Sequence, residues 1–247
     1  MAEAARQVAD RGARVIDINM GCPAKKVTNG YSGSALLKTP DHALTLIEAV
    51  VAAVDVPVTL KTRLGWDDAL LNAPAVARRA QDAGVQMVTI HGRTRCQFYK
   101  GHADWRAIRE VSEAVSIPVI ANGDIVDSAA ARSALDQSGA DGVMIGRGAQ
   151  GKPWLLAQVC HDLFGQTAPV VPEGDDLIDM VRAHYQAMLS FYGRDLGLRV
   201  ARKHLGWYMD EAGTPPQLRR AVLTSGDPEE VMRLLADALT PVEQVAA

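Results

Sequence analysis

The sequence lacks any uninterrupted apolar run near the roughly 18 residues that a membrane-spanning helix requires. It contains only three cysteines, at Cys22, Cys96 and Cys160, and they form neither a close pair nor a metal-ligand spacing. A small, odd number favours a reducing compartment over a disulfide framework, so we expect a cytoplasmic protein with no metal site. The mixed charges of residues 1–6 do not resemble a secretory signal. The net charge of −3 gives no general attraction to nucleic acid, which would need local basic patches.

What the sequence does contain is a regular alternation of strand and helix over residues 1 to about 165. The strand segments are short, apolar and β-branched without strict alternation, a pattern typical of a parallel sheet covered on both faces. The predicted strands are Val15–Met20, Val58–Leu64, Met87–His91, Pro118–Asn122 and Gly142–Gly146. Helices are predicted at Met1–Asp10, from Pro40 onward, and at Pro74–Ala83, Trp105–Val115 and Ser128–Gln137, with Thr39 and Asp127 as N-caps. This alternation predicts a parallel α/β fold.

All five predicted strands end in polar, glycine-containing sequence. A (β/α)8 barrel places its active site at that rim, whereas a doubly wound sheet uses only its switch point, so the barrel is favoured. A barrel has eight strands and typically about 250 residues. We therefore expect an incomplete TIM barrel with about five of its eight strands, lacking the first three strand–helix units.

The pattern changes after about residue 166, where Pro169–Pro172 is predicted as a linker. The segment that follows predicts only helices, and Asp227 with Glu230 predicts a capping box for the last one. The predicted helices are Leu177–Phe191, Leu196–Asp210, Pro216–Thr224 and Pro228–Leu239. We expect a partial barrel domain over 1–165 and a helical domain over 173–247.

Cys22 follows the first predicted strand, in the loop Gly21-Cys22-Pro23. It is either a small buried apolar residue or a thiol in a polar loop near Lys25 and Lys26, and the surrounding residues favour the thiol as a reacting group. Cys160, by contrast, fits the apolar face of a helix.

Two glycine-containing segments, 122–124 and 146–148, follow the last two predicted strands. Glycines let backbone N–H groups approach phosphate oxygens, and Arg147 could add a bidentate contact. Ordinary βα turns would also contain glycine, but two such segments on consecutive strands favour a phosphate site.

Lys61 and Arg63 lie two residues apart on a strand and therefore point to one face. Burying a lysine is costly without an anionic partner, which favours a ligand site over a lysine that extends to solvent. His91 remains open to two interpretations, a hydrogen-bonded core residue or part of this site.

The ordered set of motifs resembles the bacterial tRNA-dihydrouridine synthases, nearest to their B-type branch. The motifs are DINMGCPAKKV at 17–27, GSALL at 33–37, KTR at 61–63, HGRTR at 91–95, NGD at 122–124 and GR at 146–147. The resemblance implies an FMN-dependent enzyme that uses NADPH to reduce the C5=C6 bond of particular uridines in tRNA. It also implies that the barrel holds FMN and that the helical domain helps to bind the tRNA.

The resemblance further implies roles for individual residues. Cys22 matches the proton donor, and Asn19 matches a position near the target uracil. The implied cofactor-binding residues are Lys61, His91, Asn122, Gly123, Asp124, Gly146 and Arg147. Independently of the resemblance, Arg63 at the end of its strand and Lys25 and Lys26 near Cys22 are assigned to the substrate.

A basic helical face is a second candidate contact with tRNA. Residues 196–209 contain no Asp or Glu, and Arg199, Arg202 and Lys203 fall at i, i+3 and i+4 on one face of a helix. A solvated charged face is the other interpretation. The predicted mechanism transfers hydride from reduced flavin to C6 of a uridine that has left its stack, with a proton from Cys22 to C5 and a positive charge on Lys61 beside the flavin.

Two other functions remain open at this point. One is another FMN-dependent barrel oxidoreductase that acts on a small metabolite, although the Cys22 loop and the helical appendage disfavour it. The other is a truncated, inactive RNA-binding fragment.

Overall fold

The structure is a computed structural model, and it describes residues 1–240 of the chain. The first part of the chain alternates strands and helices as predicted. The strands are β1 (Ile16–Asn19), β2 (Val58–Arg63), β3 (Met87–His91), β4 (Val119–Asn122) and β5 (Gly142–Met144). The α-helices here are α1 (Ala2–Asp10), α2 (Lys25–Thr28), α3 (Pro40–Val51), α4 (Ala73–Asp82), α5 (Trp105–Ala114) and α6 (Ser128–Ser138), and 3-10 helices span Gly33–Lys38 and Arg147–Ala149.

The described strands form one parallel sheet in the order β1-β2-β3-β4-β5. Each connection leads to the next neighbour, without the reversal of strand order that defines a doubly wound sheet. Because all strands are parallel, their carboxyl ends lie at the same end of the sheet, which is the edge meant below wherever the ends of the strands are described. Over residues 1–240 this is the predicted fold, five consecutive units of (β/α)8 type.

The two faces of the sheet differ in chemistry. One face carries fully buried apolar side chains such as Leu60 and Ile90, whereas the other carries Thr59, Lys61 and His91. The central strands β2 to β4 are buried on nearly every residue, as the sequence pattern predicts. The outer strands β1 and β5 are only partly buried, so the expectation of cover on both faces is wrong for them.

Of the two predicted N-caps, one differs from expectation and one is confirmed. Thr39 precedes α3 but its side chain makes no capping hydrogen bond, because its ψ of 66° departs from the extended N-cap backbone. Asp127 caps α6 as predicted, accepting from the N–H of Ala130 at 2.7 Å.

The chain divides into two compact units, one over Met1–Gly146 and one that begins at Arg147. After the linker predicted at Pro169–Pro172, the second unit contains only helices in its described residues. Its helices are α7 (Leu155–Phe164), α8 (Gly174–Tyr192), α9 (Arg194–Glu211), α10 (Pro216–Thr224) and α11 (Pro228–Leu239). The functional domain limits of 1–165 and 173–247 stay a prediction, and residues 241–247 lie outside the described part.

The helical unit has its own apolar core, formed by residues of α8, α9, α10 and α11. The members include Ile178, Val181, Tyr185, Met188, Leu205, Met209, Val222 and Leu235. Two expectations are wrong in this unit. Cys160 is exposed on α7, a helix whose bounds the sequence did not predict.

The other wrong expectation is the capping box of α11. Asp227 accepts from the N–H of Glu229 at 3.2 Å, while its own N–H donates to the hydroxyl of Ser225 at 3.1 Å. That hydroxyl also donates to Glu230 at 2.7 Å, so Ser225 stands between the two acidic residues.

Within residues 1–240, no helix is both long and apolar enough to cross a membrane. The same residues hold no group of three or more His, Cys, Asp or Glu side chains arranged to bind a metal ion.

Candidate active site

The loop after β1 presents the Cys22 thiol, which is partly exposed. Asn19 is exposed at the end of β1, and its Oδ1 accepts from the N–H of Gly21 at 3.0 Å. The carbonyl oxygen of Cys22 accepts from both the N–H and the hydroxyl of Ser34, at 3.1 and 2.8 Å. These bonds close the loop from both sides and fix the backbone that carries the thiol.

Gly33 completes this loop and must remain glycine. Its φ is +60°, and a Cβ atom there would lie 2.8 Å from the carbonyl oxygen of Cys22. A side chain would therefore both strain the backbone and displace the residue that carries the thiol. The following 3-10 helix, Gly33–Lys38, did not appear in the sequence prediction.

Lys61 is half-buried on the polar face of the sheet, and its ammonium lies at the edge where the strands end. Nζ donates to Oδ1 of Asn122 at 2.9 Å, and the amide of Asn122 donates to the carbonyl of Met144 at 2.8 Å. Burial lowers the pKa of Lys61, and the nearby charge of Arg63 lowers it further, while Asp17 opposes both. Lys61 forms no ion pair with a carboxylate of residues 1–240, so a positive charge with spare donors remains at this edge.

Arg63 lies on the same strand but is only 2% exposed. Its guanidinium donates to three backbone carbonyls, those of Gly21, Thr94 and Phe98, at 2.8 to 2.9 Å. Burial lowers the pKa of Arg63. Arg63 therefore joins the loops after β1 and β3. Because its guanidinium is buried against these carbonyls, the placement does not favour the predicted contact with substrate.

His91 ends β3 and is buried. Its pKa falls to about 3 because it is buried and because Arg63, Lys61 and Arg93 surround it with positive charge. The ring is therefore neutral at physiological pH, and its Nε2 lies 3.3 Å from Nη1 of Arg93. The structure shows His91 as a buried residue paired with Arg93, which fits the first interpretation, and its part in the site stays a prediction.

Asp124 lies in the loop after β4, two residues past the strand, and is held by Arg93. The guanidinium donates to both carboxylate oxygens, at 2.9 and 2.6 Å, and the N–H of Ala103 donates to the second at 2.7 Å. Gly123 has a φ of +115°, and a Cβ there would lie 2.8 Å from the Cβ of Ala103. The Arg93 charge offsets a carboxylate that would otherwise repel a phosphate at this loop.

Gly146 and Arg147 lie past the end of β5, which stops at Met144, two residues earlier than predicted. Gly146 is exposed, and a Cβ there would meet no atom within 4 Å. Arg147 is exposed at the start of the 3-10 helix Arg147–Ala149, the first residue of the second unit.

The remaining predicted substrate residues are exposed cations. Lys25 and Lys26 lie on α2, three and four residues after Cys22. Arg199, Arg202 and Lys203 are exposed on α9 of the helical unit, as the predicted spacing requires.

Sequence reasoning missed the residue that ties α2 to the sheet edge. The Arg95 guanidinium lies over the rings of both Trp66 and Phe98, at 4.6 and 4.7 Å from their centroids. It also donates to Oγ1 of Thr28, in α2, at 3.1 Å. The second arginine of the HGRTR motif was the only available signal, since nothing in the sequence pairs it with Trp66.

A parallel sheet of (β/α)8 type, with a thiol, an ammonium group and glycine loops along one edge, defines a barrel-type enzyme. The profile of the dihydrouridine synthase (Dus) family matches residues 1–243. The chain is 63% identical over 243 residues to a probable tRNA-dihydrouridine synthase of Rhodobacter capsulatus, covering 98% of this chain and 74% of that protein. It is 50% identical over 221 residues to tRNA-dihydrouridine synthase B of Vibrio vulnificus, covering 89% and 68%.

The chain belongs to the dihydrouridine synthase family. Among solved structures, it aligns with a putative dihydrodipicolinate synthetase from Pseudomonas aeruginosa at 16% identity, with a TM-score of 0.46, over 96% of this chain and 74% of that chain. That likeness is too weak to carry an argument.

Proposed function

We propose that this chain is a tRNA-dihydrouridine synthase that binds FMN and uses NADPH to reduce the C5=C6 bond of specific uridines in tRNA. The observation that supports this most directly is the ammonium of Lys61, which forms no ion pair within residues 1–240 and lies at the end of the sheet where the loop with the Cys22 thiol begins. The proposal includes a cytoplasmic location, where tRNA is available.

The donor set fits a flavin mononucleotide. Lys61 offers a positive charge and unused N–H donors to the electron-rich edge of an isoalloxazine ring. The glycines at 123 and 146 and the guanidinium of Arg147 are assigned to the phosphate. His91 is neutral beside Lys61, so it can pack against the ring without adding charge.

Asn122 holds Lys61 in place for this role. Its amide donates to the β5 backbone and its oxygen faces Nζ, so the amide cannot rotate without losing both bonds. We assign Asn122 to positioning Lys61 and Asp124 to holding Arg93, which keeps the loop after β4 in its left-handed turn.

When bound and reduced, the flavin supplies hydride to C6 of the uracil. Cys22 then donates its proton to C5, since the partly exposed thiol lies in a loop fixed at both ends. Asn19, exposed at the end of β1, is assigned to contacts with the uracil, and Lys25 and Lys26 to the adjacent phosphates. Because a stacked base is out of reach, the uridine must leave the RNA stack to meet this edge.

The helical unit supplies a second contact with tRNA in this proposal. Arg199, Arg202 and Lys203 project from α9 into solvent, where they can neutralise phosphates. This local patch, rather than the net charge of −3, provides the electrostatic attraction.

A second candidate function is tRNA binding without flavin. It is favoured by β1, an outer strand of the described sheet, and by Val15 just before it, which is 49% exposed. A cavity of about 280 Å³ lies beside it, lined mainly by apolar residues of α1 and β1 together with Asp17, Asn19 and Val50.

The test is reconstitution of the purified chain with FMN and NADPH, followed by incubation with tRNA from cells that lack their own dihydrouridine synthases. We expect flavin absorption to stay with the protein and mass spectrometry to show uridines that have gained two hydrogen atoms. Cys22→Ser should lose product while it retains flavin and tRNA binding. Binding of tRNA with no flavin uptake would support the second candidate. Oxidation of NADPH in the presence of a free pyrimidine, without tRNA binding, would indicate a metabolite enzyme.

A further inference from the structure

Two aromatic side chains at the end of α8 are open to solvent. Phe191 is 82% exposed and Tyr192 is 45% exposed, and their ring centroids lie 4.8 Å apart in an edge-to-face arrangement. Neither ring belongs to the apolar core of the helical unit, whose last α8 member is Met188. The pair thus exposes apolar ring faces that do not contribute to the core.

Cations follow this pair of rings on the next helix. Gly193 ends α8, and α9 begins at once with Arg194. Nε of Arg199 donates to the carbonyl of Asp195 at 3.3 Å, which places that guanidinium over the first turn of α9. Residues 194–203 hold four cations against the single carboxylate of Asp195.

The combination of bare rings and cations matches the chemistry of unpaired nucleotides. Single strands are held where bases stack on aromatic rings and phosphates meet basic side chains, whereas a duplex keeps its base faces inside. An apolar pair alone would also fit a protein partner, but the excess of positive charge on the next helix favours a polyanion.

We propose that Phe191 and Tyr192 stack against unpaired bases of an RNA loop while Arg199 and Lys203 contact its phosphates. This inference rests on the proposed function, because it assigns the looped part of tRNA to the helical unit. The pair of rings gives the contact a preference for loops over helical stems.

The experiment compares the full chain with Phe191→Ala/Tyr192→Ala in binding to tRNA, to short oligouridine and to a blunt RNA duplex, over a series of salt concentrations. We expect the double variant to bind tRNA and oligouridine about tenfold more weakly, as loss of base stacking predicts. Duplex binding should not change. The dependence of log Kd on log salt should keep its slope, because a ring releases no counterion, whereas Arg199→Ala should reduce that slope by slightly less than one.

Matched variants separate stacking from general apolar contact. Phe164→Ala removes another exposed aromatic ring of the same unit, 47% exposed at the end of α7, and should leave binding unchanged. Phe191→Trp should retain affinity, while Phe191→Leu should lose it because leucine has no ring face. Equal circular dichroism and thermal unfolding of all variants would show that the fold is intact.

Several results would overturn the inference. The first is an unchanged tRNA affinity of the double variant, and the second is full affinity of Phe191→Leu. The third is that the wild-type chain binds anionic phospholipid vesicles and the double variant loses this binding while it keeps its affinity for RNA, which would indicate a membrane surface. The proposed function fails separately, if wild-type chain with FMN and NADPH forms no dihydrouridine. Ring-dependent RNA binding without product would keep this inference and remove the proposed function.

Discussion

The ion pair between Arg93 and Asp124 permits a quantitative prediction, because its two members differ in exposure. Arg93 is 2% exposed and donates through both terminal nitrogens to Asp124, which is 26% exposed. Asp124→Asn keeps the size of the side chain and one acceptor oxygen. It removes the charge that balances a buried guanidinium.

The expected loss of unfolding free energy is about 3 kcal/mol, near the lower end of what a broken buried pair costs. The lower end applies because Arg93 retains two neutral acceptors, the carbonyls of Lys100 and Gly101. The N–H of Ala103 would also lose its carboxylate partner, which prevents the cost from falling to that of a surface pair.

The chain contains a matched control in Asp41, which pairs with Arg79 at 2.8 Å but is 94% exposed. Asp41→Asn should cost at most about 1 kcal/mol, since solvent screens such a pair. Urea unfolding of wild type and both variants, followed by circular dichroism, measures the difference. Equal losses in the two variants would refute the claim that burial of Arg93 sets the strength of this pair.

Three further predictions concern the loops around the thiol and the charge of the site. Since His91 has a pKa near 3 when folded and about 6.5 when unfolded, the unfolded chain takes up a proton first as the pH falls. The free energy of unfolding should therefore fall below about pH 6.5 by at most about 1.4 kcal/mol per pH unit. In urea unfolding, His91→Asn should flatten this slope, and an unchanged slope would contradict the lowered pKa of His91. Gly33→Ala should lower the free energy of unfolding more than Gly213→Ala does, because Gly213 has a similar φ of +67° but no atom within 4 Å of a Cβ there. Peptide mapping should show faster alkylation of Cys22 only in Gly33→Ala. Arg95→Lys should accelerate hydrogen exchange in α2, because an ammonium cannot replace a guanidinium that contacts two rings and Thr28, and equal exchange rates would contradict that role.

Local signals predicted much of the fold. β3 has the predicted bounds, Met87–His91, because a short β-branched run is followed by Gly92. Pro216–Thr224 and Pro228–Leu239 also match, since proline at the first helical turn marks where each helix starts. α2 and the 3-10 helix Gly33–Lys38 were missed because neither shows helical periodicity.

The candidate site was only partly predictable. Lys61 faces the predicted edge of the sheet, because strand alternation and polarity alone place it there. Arg63, two residues on, satisfies the same pattern, yet it is buried among carbonyls of the loops after β1 and β3. Those loops are distant in sequence, so no local pattern could show that they meet around its guanidinium.

The sequence by itself determined the order of strands and helices, the shared edge where the strands end, and the family, because these depend on periodicity, capping residues and motif spacing. Only the tertiary structure decided the partner of each charge. It showed Asn122 holding Lys61, Asp124 balancing Arg93, and Phe191 left exposed to solvent at the end of α8. The physical reason is that burial and electrostatic pairing arise between residues far apart in the chain, and folding alone brings them within bonding distance.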